Sequence, residues 1–243
     1  MQKQGKYGIV REIQPYSDGL GIRSTRKFFQ KTLTEFAWWN QEFYNRAGIF
    51  PVTLRERQTS GGLYEAILKS SKQALIQPRI RRKNYGEKEK SGWADFIAYF
   101  DDAMLFIESK HSYCKLDDIK KSEIVWLTTD WVKAVKQVNS LGEKAVGDWG
   151  DGWHVHLGIV LHIVLIYQQA KSQSELKLVS EKRVVNYINS LNNKLKPKAN
   201  WIWLWSLDTS LHNPEKFGKN WENYPYVCYF MYLKRLKYRS STK

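Results

Sequence analysis

Residues 155–167, VHLGIVLHIVLIY, are apolar at both odd and even positions. Side chains alternate between the two faces of a strand, so such a run needs cover on both sides, as in a central strand. It is too short to span a bilayer and carries His156 and His162. The segment therefore predicts a sheet with helices on both faces.

The rest of the chain fits around that strand. Residues 6–13 read as a short strand closed by Pro15 and the SDG turn. Residues 25–47 carry apolar positions at helical spacing and stop at Gly48. A second helix is expected from Thr53, where Thr53-Leu-Arg-Glu56 forms a capping-box pattern, and its stripe runs through Leu75 to the Pro78 break. Gly61-Gly62 weakens it by about 1 kcal/mol per Gly relative to Ala, so Ser60 is an alternative start. Residues 79–92 read as a charged connection, and 94–100 and 103–110 as two strands around Asp101-Asp102. A helix capped by Thr128/Thr129, a helix over 180–195, and strands at 201–207 and 226–233 complete a mixed α/β sheet in one domain.

Composition narrows the partners. The 243 residues carry 39 Lys+Arg against 24 Asp+Glu, a formal charge of +15, which favours a polyanion. The basic residues concentrate in 79–90 and in the tail from Lys234 to Lys243. With 42% hydrophobic residues and 11 Trp, the chain is not a disordered basic tail. Cys114 and Cys228 form no CxxC, which excludes zinc ribbons and disulfide scaffolds. The first residues lack the apolar core of a signal peptide, so the expectation is a cytoplasmic protein with no membrane partner.

The hairpin carries the candidate chemistry. A two-residue turn at Asp101-Asp102 pairs Phe100 with Ala103, Ala98 with Leu105 and Asp95 with Glu108. Asp95, Ile97 and Tyr99 then share a face with Met104, Phe106, Glu108 and Lys110. A turn centred on Asp102-Ala103 would shift the register but leave the three ionisable groups on one face. Two facing carboxylates in a partly buried site repel unless a cation lies between them. Mg²⁺ takes one or two carboxylates with waters and substrate phosphate, and Lys110 can balance the remaining charge and orient a water.

Asp95, then twelve residues, then Glu108-Ser109-Lys110, on a hairpin between a Glu-bearing helix and a helix with a buried strand, resembles the PD-(D/E)XK nuclease superfamily. The resemblance covers residues 53–167, leaving 1–52 and 168–243 as elaborations of a core. It departs from the family at Ala94, where the family's proline, often missing, would stand. It implies a restriction endonuclease-like mixed sheet flanked by helices on both faces. Asp95 and Glu108 would be metal ligands, the Ser109 backbone carbonyl a further ligand, Lys110 the catalytic lysine, and Glu56 or Glu65 the helical glutamate. The cofactor would be Mg²⁺, with Mn²⁺ able to substitute. The implied activity is hydrolysis of DNA phosphodiesters by an endonuclease of restriction or phage defence. Arg79, Arg81, Arg82, Lys83 and His111 would contact a double-stranded DNA substrate. Cutting both strands would need two sites, hence a homodimer, and a defence-system partner protein is the other expected contact.

Plainer readings stand beside these. The three ionisable groups could form a salt-bridge cluster at a sheet edge, Glu56 a capping residue, and Glu65 a solvated helical residue. His111 also reads as a hydrogen-bonded core or surface histidine, His154, His156 and His162 as structural histidines, and Trp201, Trp203 and Trp205 as sheet-to-helix packing. The main rival is a catalytically inactive nucleic-acid-binding or assembly protein on the same fold.

Overall fold

In the computed structural model, the described residues are 8–16, 19, 21–84, 87–116, 120–149, 155–177, 179–208 and 214–237, with main chain only at 83–84, 87–90 and 144. The elements run β1 (Ile9–Gln14), α1 (Ile22–Ala47), α2 (Glu56–Ser70), β2 (Gln73–Ile76), β3 (Arg79–Asn84), β4 (Glu87–Trp93), β5 (Phe96–Phe100) and β6 (Ala103–Lys115). They continue with α3 (Lys121–Asn139), α4 (Glu143–Trp149), β7 (Val155–Ala170), α5 (Glu181–Asn192), β8 (Trp201–Ser206), β9 (Glu215–Phe217) and β10 (Asn220–Arg235).

An eight-stranded sheet has the order β1-β8-β10-β7-β6-β5-β2, with β9 paired to β10. The β6–β7 pair is parallel and the remaining pairs are antiparallel. The apolar run at 155–167 is, as its two-faced pattern requires, an inner strand, with β10 on one side and β6 on the other. Helices cover both faces. Phe28, Phe29 and Phe36 of α1 and Leu63 and Ile67 of α2 pack with Phe96, Leu105, Ile107, Trp201 and Trp205 on one. Trp131 and Val138 of α3 and Ile188 of α5 pack with Val164, Ile202 and Phe230 on the other. Each such fully buried side chain contributes about 1.5–3 kcal/mol. The tryptophans of β8 are packing residues, as their alternation with Ile202 and Leu204 suggests. No helix among the described residues is long and apolar enough to cross a membrane.

Several local expectations are corrected. Thr53 does not cap a helix: it ends a 3-10 turn at Pro51–Thr53, and its Oγ1 donates to the Phe50 carbonyl at 2.7 Å. A long-range bond decides this, because the buried Asn40 Oδ1 accepts the Val52 N–H at 2.7 Å and bends the chain there. Glu56 is consequently the first residue of α2 instead of a capping residue at its third position. Residues 73–76 form a strand, not the end of a helix, because β5 offers its backbone to them along the sheet edge. The charged connection at 79–92 is a two-stranded ribbon of β3 and β4, with Ile80 buried beneath it. α3 starts at Lys121, and Thr128 lies inside it, its hydroxyl bonded back to Ile124 O at 2.8 Å.

Candidate active site

The hairpin register is the one that the Asp101-Asp102 turn predicts, with Phe100 opposite Ala103 and Phe96 opposite Ile107. Asp101 adopts φ 48°, a left-handed conformation that Asp tolerates better than most residues in a tight turn. β5 begins at Phe96, while its partner β6 continues past the paired Ile107 to Lys115, supported by β7 on its other side. Asp95 closes the ladder: its Oδ2 accepts the Ser109 N–H at 2.7 Å.

Two side chains of β6 bring α2 to this step. His111 Nε2–H donates to the Val52 carbonyl at 2.9 Å. The Tyr113 hydroxyl contacts the carbonyls of Thr53 at 2.9 Å and Leu54 at 2.7 Å. These bonds pin the chain just before α2, so that Glu56 Oε1 stands 3.4 Å from Lys110 Nζ. The same ammonium lies 3.8 Å from Asp95 Oδ2 and donates to the Ser109 carbonyl at 2.7 Å. Glu56, Asp95 and Ser109 line a cleft of about 270 Å³ with Ser60, Gln77 and Phe96.

Glu108 sits behind this cluster, 1% exposed. Its Oε1 accepts from Arg82 Nη2, and its Oε2 has no partner among the described residues. Burial raises its pKa to about 7 despite the guanidinium beside it, and the Asp95 charge adds to the rise. Burial and Asp95 also raise Glu56, against the opposing pull of Lys110. The three carboxylates therefore share one field.

Of the two helical glutamates, Glu56 joins the site. Glu65 pairs with Lys69 at 2.8 Å on the flank of α2. The basic segment is not a row of free cations. Strand alternation turns Arg82 inward with Ile80, where it is 12% exposed and also donates to the carbonyls of Trp93 and Gln137, both at 2.6 Å. Arg81 forms a two-pronged pair with Asp148, and Arg79 donates to Ser91 Oγ at 3.0 Å. The Lys83 side chain lies outside the described residues, as do His154 and the tail beyond residue 237. His111, expected at the substrate phosphate, is committed to Val52, and burial lowers its pKa to about 4. His162 is a core residue, 2.8 Å from Ser112 Oγ and stacked on Trp131.

Comparison of the chain with protein-family models, with curated proteins and with solved structures returned no match to any of them. The site must be read on its own chemistry.

Among the described residues, no group of three or more His, Cys, Asp or Glu side chains is placed to hold a metal ion. Oxygen atoms of the kind a hard cation takes are the Asp95 carboxylate and the Ser109 carbonyl, which already accept from Ser109 N–H and Lys110, and the orphaned Glu108 Oε2. The role of Arg82 escaped the sequence reading. Its only signal is the place of Ile80 two residues before it, which the cations Arg79, Arg81 and Lys83 obscure.

Proposed function

We propose that the chain is a metal-dependent nuclease of the restriction endonuclease-like type, hydrolysing phosphodiester bonds of DNA. The observation that carries this reading is the meeting of Asp95, Glu56 and Lys110 at the start of β5, beside a buried Glu108 with one uncommitted oxygen. Glu56 and Asp95 gathered about one lysine, in front of a buried Glu108 that Arg82 neutralises, form a charge cluster whose desolvation is costly unless it serves a function.

Mg²⁺, or Mn²⁺ in its place, would be held by Asp95, Glu108 and the Ser109 carbonyl, and when bound it supplies Lewis-acid polarisation of the scissile phosphate. Lys110 stands between Glu56 at 3.4 Å and Asp95 at 3.8 Å, and its charge would meet a phosphate or orient an attacking water there. Glu56, with its pKa raised, is suited to accept a proton from that water. Arg82 would have to yield Glu108 for the full ligand set to form. A role in restriction or phage defence and a homodimer follow from the resemblance of the Asp95, Glu108-Ser109-Lys110 pattern to that superfamily.

One observation favours a second reading. Arg82 already neutralises Glu108, as it would in a binding or assembly protein that never loads metal. Incubation with plasmid and single-stranded DNA in Mg²⁺, Mn²⁺ or EDTA separates the two. Metal-dependent nicking abolished by Lys110→Ala and Asp95→Ala supports the nuclease. Salt-sensitive binding without cleavage in either metal supports the binder.

A further inference from the structure

A second cavity, of about 580 Å³, opens farther along β6. Its wall includes Tyr113, three residues beyond Lys110 and so about 10 Å along the strand. Arg55, just before α2, and Gln58, in its first turn, form another wall, so the cavity and the candidate active site share β6 and α2.

The chemistry of the cavity is layered. Its floor is acidic but satisfied: Glu123 accepts from Lys115 N at 3.0 Å and the Tyr167 hydroxyl at 2.7 Å. Glu222 accepts from Gln169 at 2.9 Å and the Tyr224 hydroxyl at 2.6 Å. At the rim, Arg55 and Lys120 have no ion-pair partner among the described residues. Two large aromatic side chains of the lining stand in solvent, Trp126 at 65% and Phe217 at 49% exposure. A phosphate would be repelled by the floor and drawn to the rim, whereas a planar group with a polar edge could stack on an exposed ring with its edge toward the floor. The volume lies within the range of small-ligand sites, about 300–1,000 Å³.

We propose that this cavity takes an unstacked nucleobase of a bound DNA strand, stacked on Trp126 and Phe217, with Arg55 and Lys120 on the flanking phosphates. The assignment rests on the reading of the chain as acting on nucleic acid, though not on cleavage. Aromatic stacking of this kind accepts any base, so the cavity selects unpaired or distorted DNA over a regular duplex. Its position about 10 Å from Lys110 would set the distance between the captured base and the attacked phosphate.

The test is fluorescence anisotropy with the full chain in EDTA, using a labelled single strand, a duplex, and the same duplex with one unpaired base. The wild type is expected to prefer the single strand and the unpaired base. Trp126→Ala should weaken both by at least about fivefold, Trp126→Phe should retain most of the affinity, and Arg55→Gln should lower the salt slope by about one. Phe43→Ala, an exposed aromatic on α1, should change nothing. Unchanged affinity in both Trp126→Ala and Phe217→Ala, or equal wild-type binding to duplex and unpaired base, overturns the pocket while leaving the nuclease standing. Absence of binding to every DNA removes both proposals. Trp126-dependent binding without cleavage in Mg²⁺ supports the pocket and removes the nuclease alone.

Discussion

Arg82 reaches from the β3–β4 ribbon to Glu108 on β6 and, with the same guanidinium, holds the Trp93 and Gln137 carbonyls. One side chain thus joins the ribbon, the sheet and α3, and neutralises the most deeply placed carboxylate of the candidate site.

Removing that cation should cost stability in a pH-dependent way. A carboxyl whose folded pKa exceeds its unfolded value makes folding favour the protonated form. The contribution of Glu108 to stability therefore falls as pH rises from about 4.5 to about 7. Without Arg82 the carboxyl is pushed higher still. Arg82→Ala should lose about 3–5 kcal/mol when Glu108 is forced to ionise, and less when it is protonated. Urea unfolding on both sides of neutrality measures this, and Arg82→Ala/Glu108→Gln should recover the pH-dependent part. A loss of equal size at acid and alkaline pH would contradict the role of the ion pair.

The two glutamates of α2 should behave differently. Glu56→Gln removes a charge 3.4 Å from Lys110 and should lower metal-dependent cleavage at least about tenfold, seen in plasmid nicking. Glu65→Gln breaks only an exposed pair with Lys69, so its cost should stay near 0.3–0.5 kcal/mol, at roughly unchanged activity.

The adjacent glycines of α2 should give effects of opposite sign. A Cβ on Gly61 meets nothing within 4 Å, so Gly61→Ala should stabilise by about 1 kcal/mol through helix propensity. On Gly62 it would stand 2.3 Å from the Trp39 ring, which is held between Phe36 and Phe43. Gly62→Ala should therefore destabilise, with overpacking of about 1–3 kcal/mol outweighing the propensity gain. Thermal melts of the two variants decide it.

His162 predicts sensitivity to acid. Burial lowers its pKa to about 3, so the neutral ring stabilises the fold above about 6.5, and that contribution is lost as pH falls towards 3. The fall in melting temperature on acidification should be shallower in His162→Gln, even though this variant is less stable at neutral pH. Equal slopes would show that His162 does not titrate on unfolding.

What the sequence by itself determined follows from short-range regularity. The two-faced apolar run placed β7 inside the sheet, helical spacing located α1 and α5, and a two-residue turn set the register from Phe96 to Ile107. That register, together with strand alternation, is enough to put Asp95, Glu108 and Lys110 on one face of the hairpin.

Tertiary structure decided what depends on partners distant in the chain. Asn40 bends the segment before α2, and His111 and Tyr113 anchor it, so that Glu56 and not Glu65 faces Lys110. The exposed edge of β5 draws residues 73–76 into a strand. A basic stretch that reads as a phosphate-binding surface is folded into a ribbon whose Arg82 turns inward to Glu108. Each outcome rests on a hydrogen bond or ion pair across 12 to 60 residues, and local propensity carries no information about such a partner.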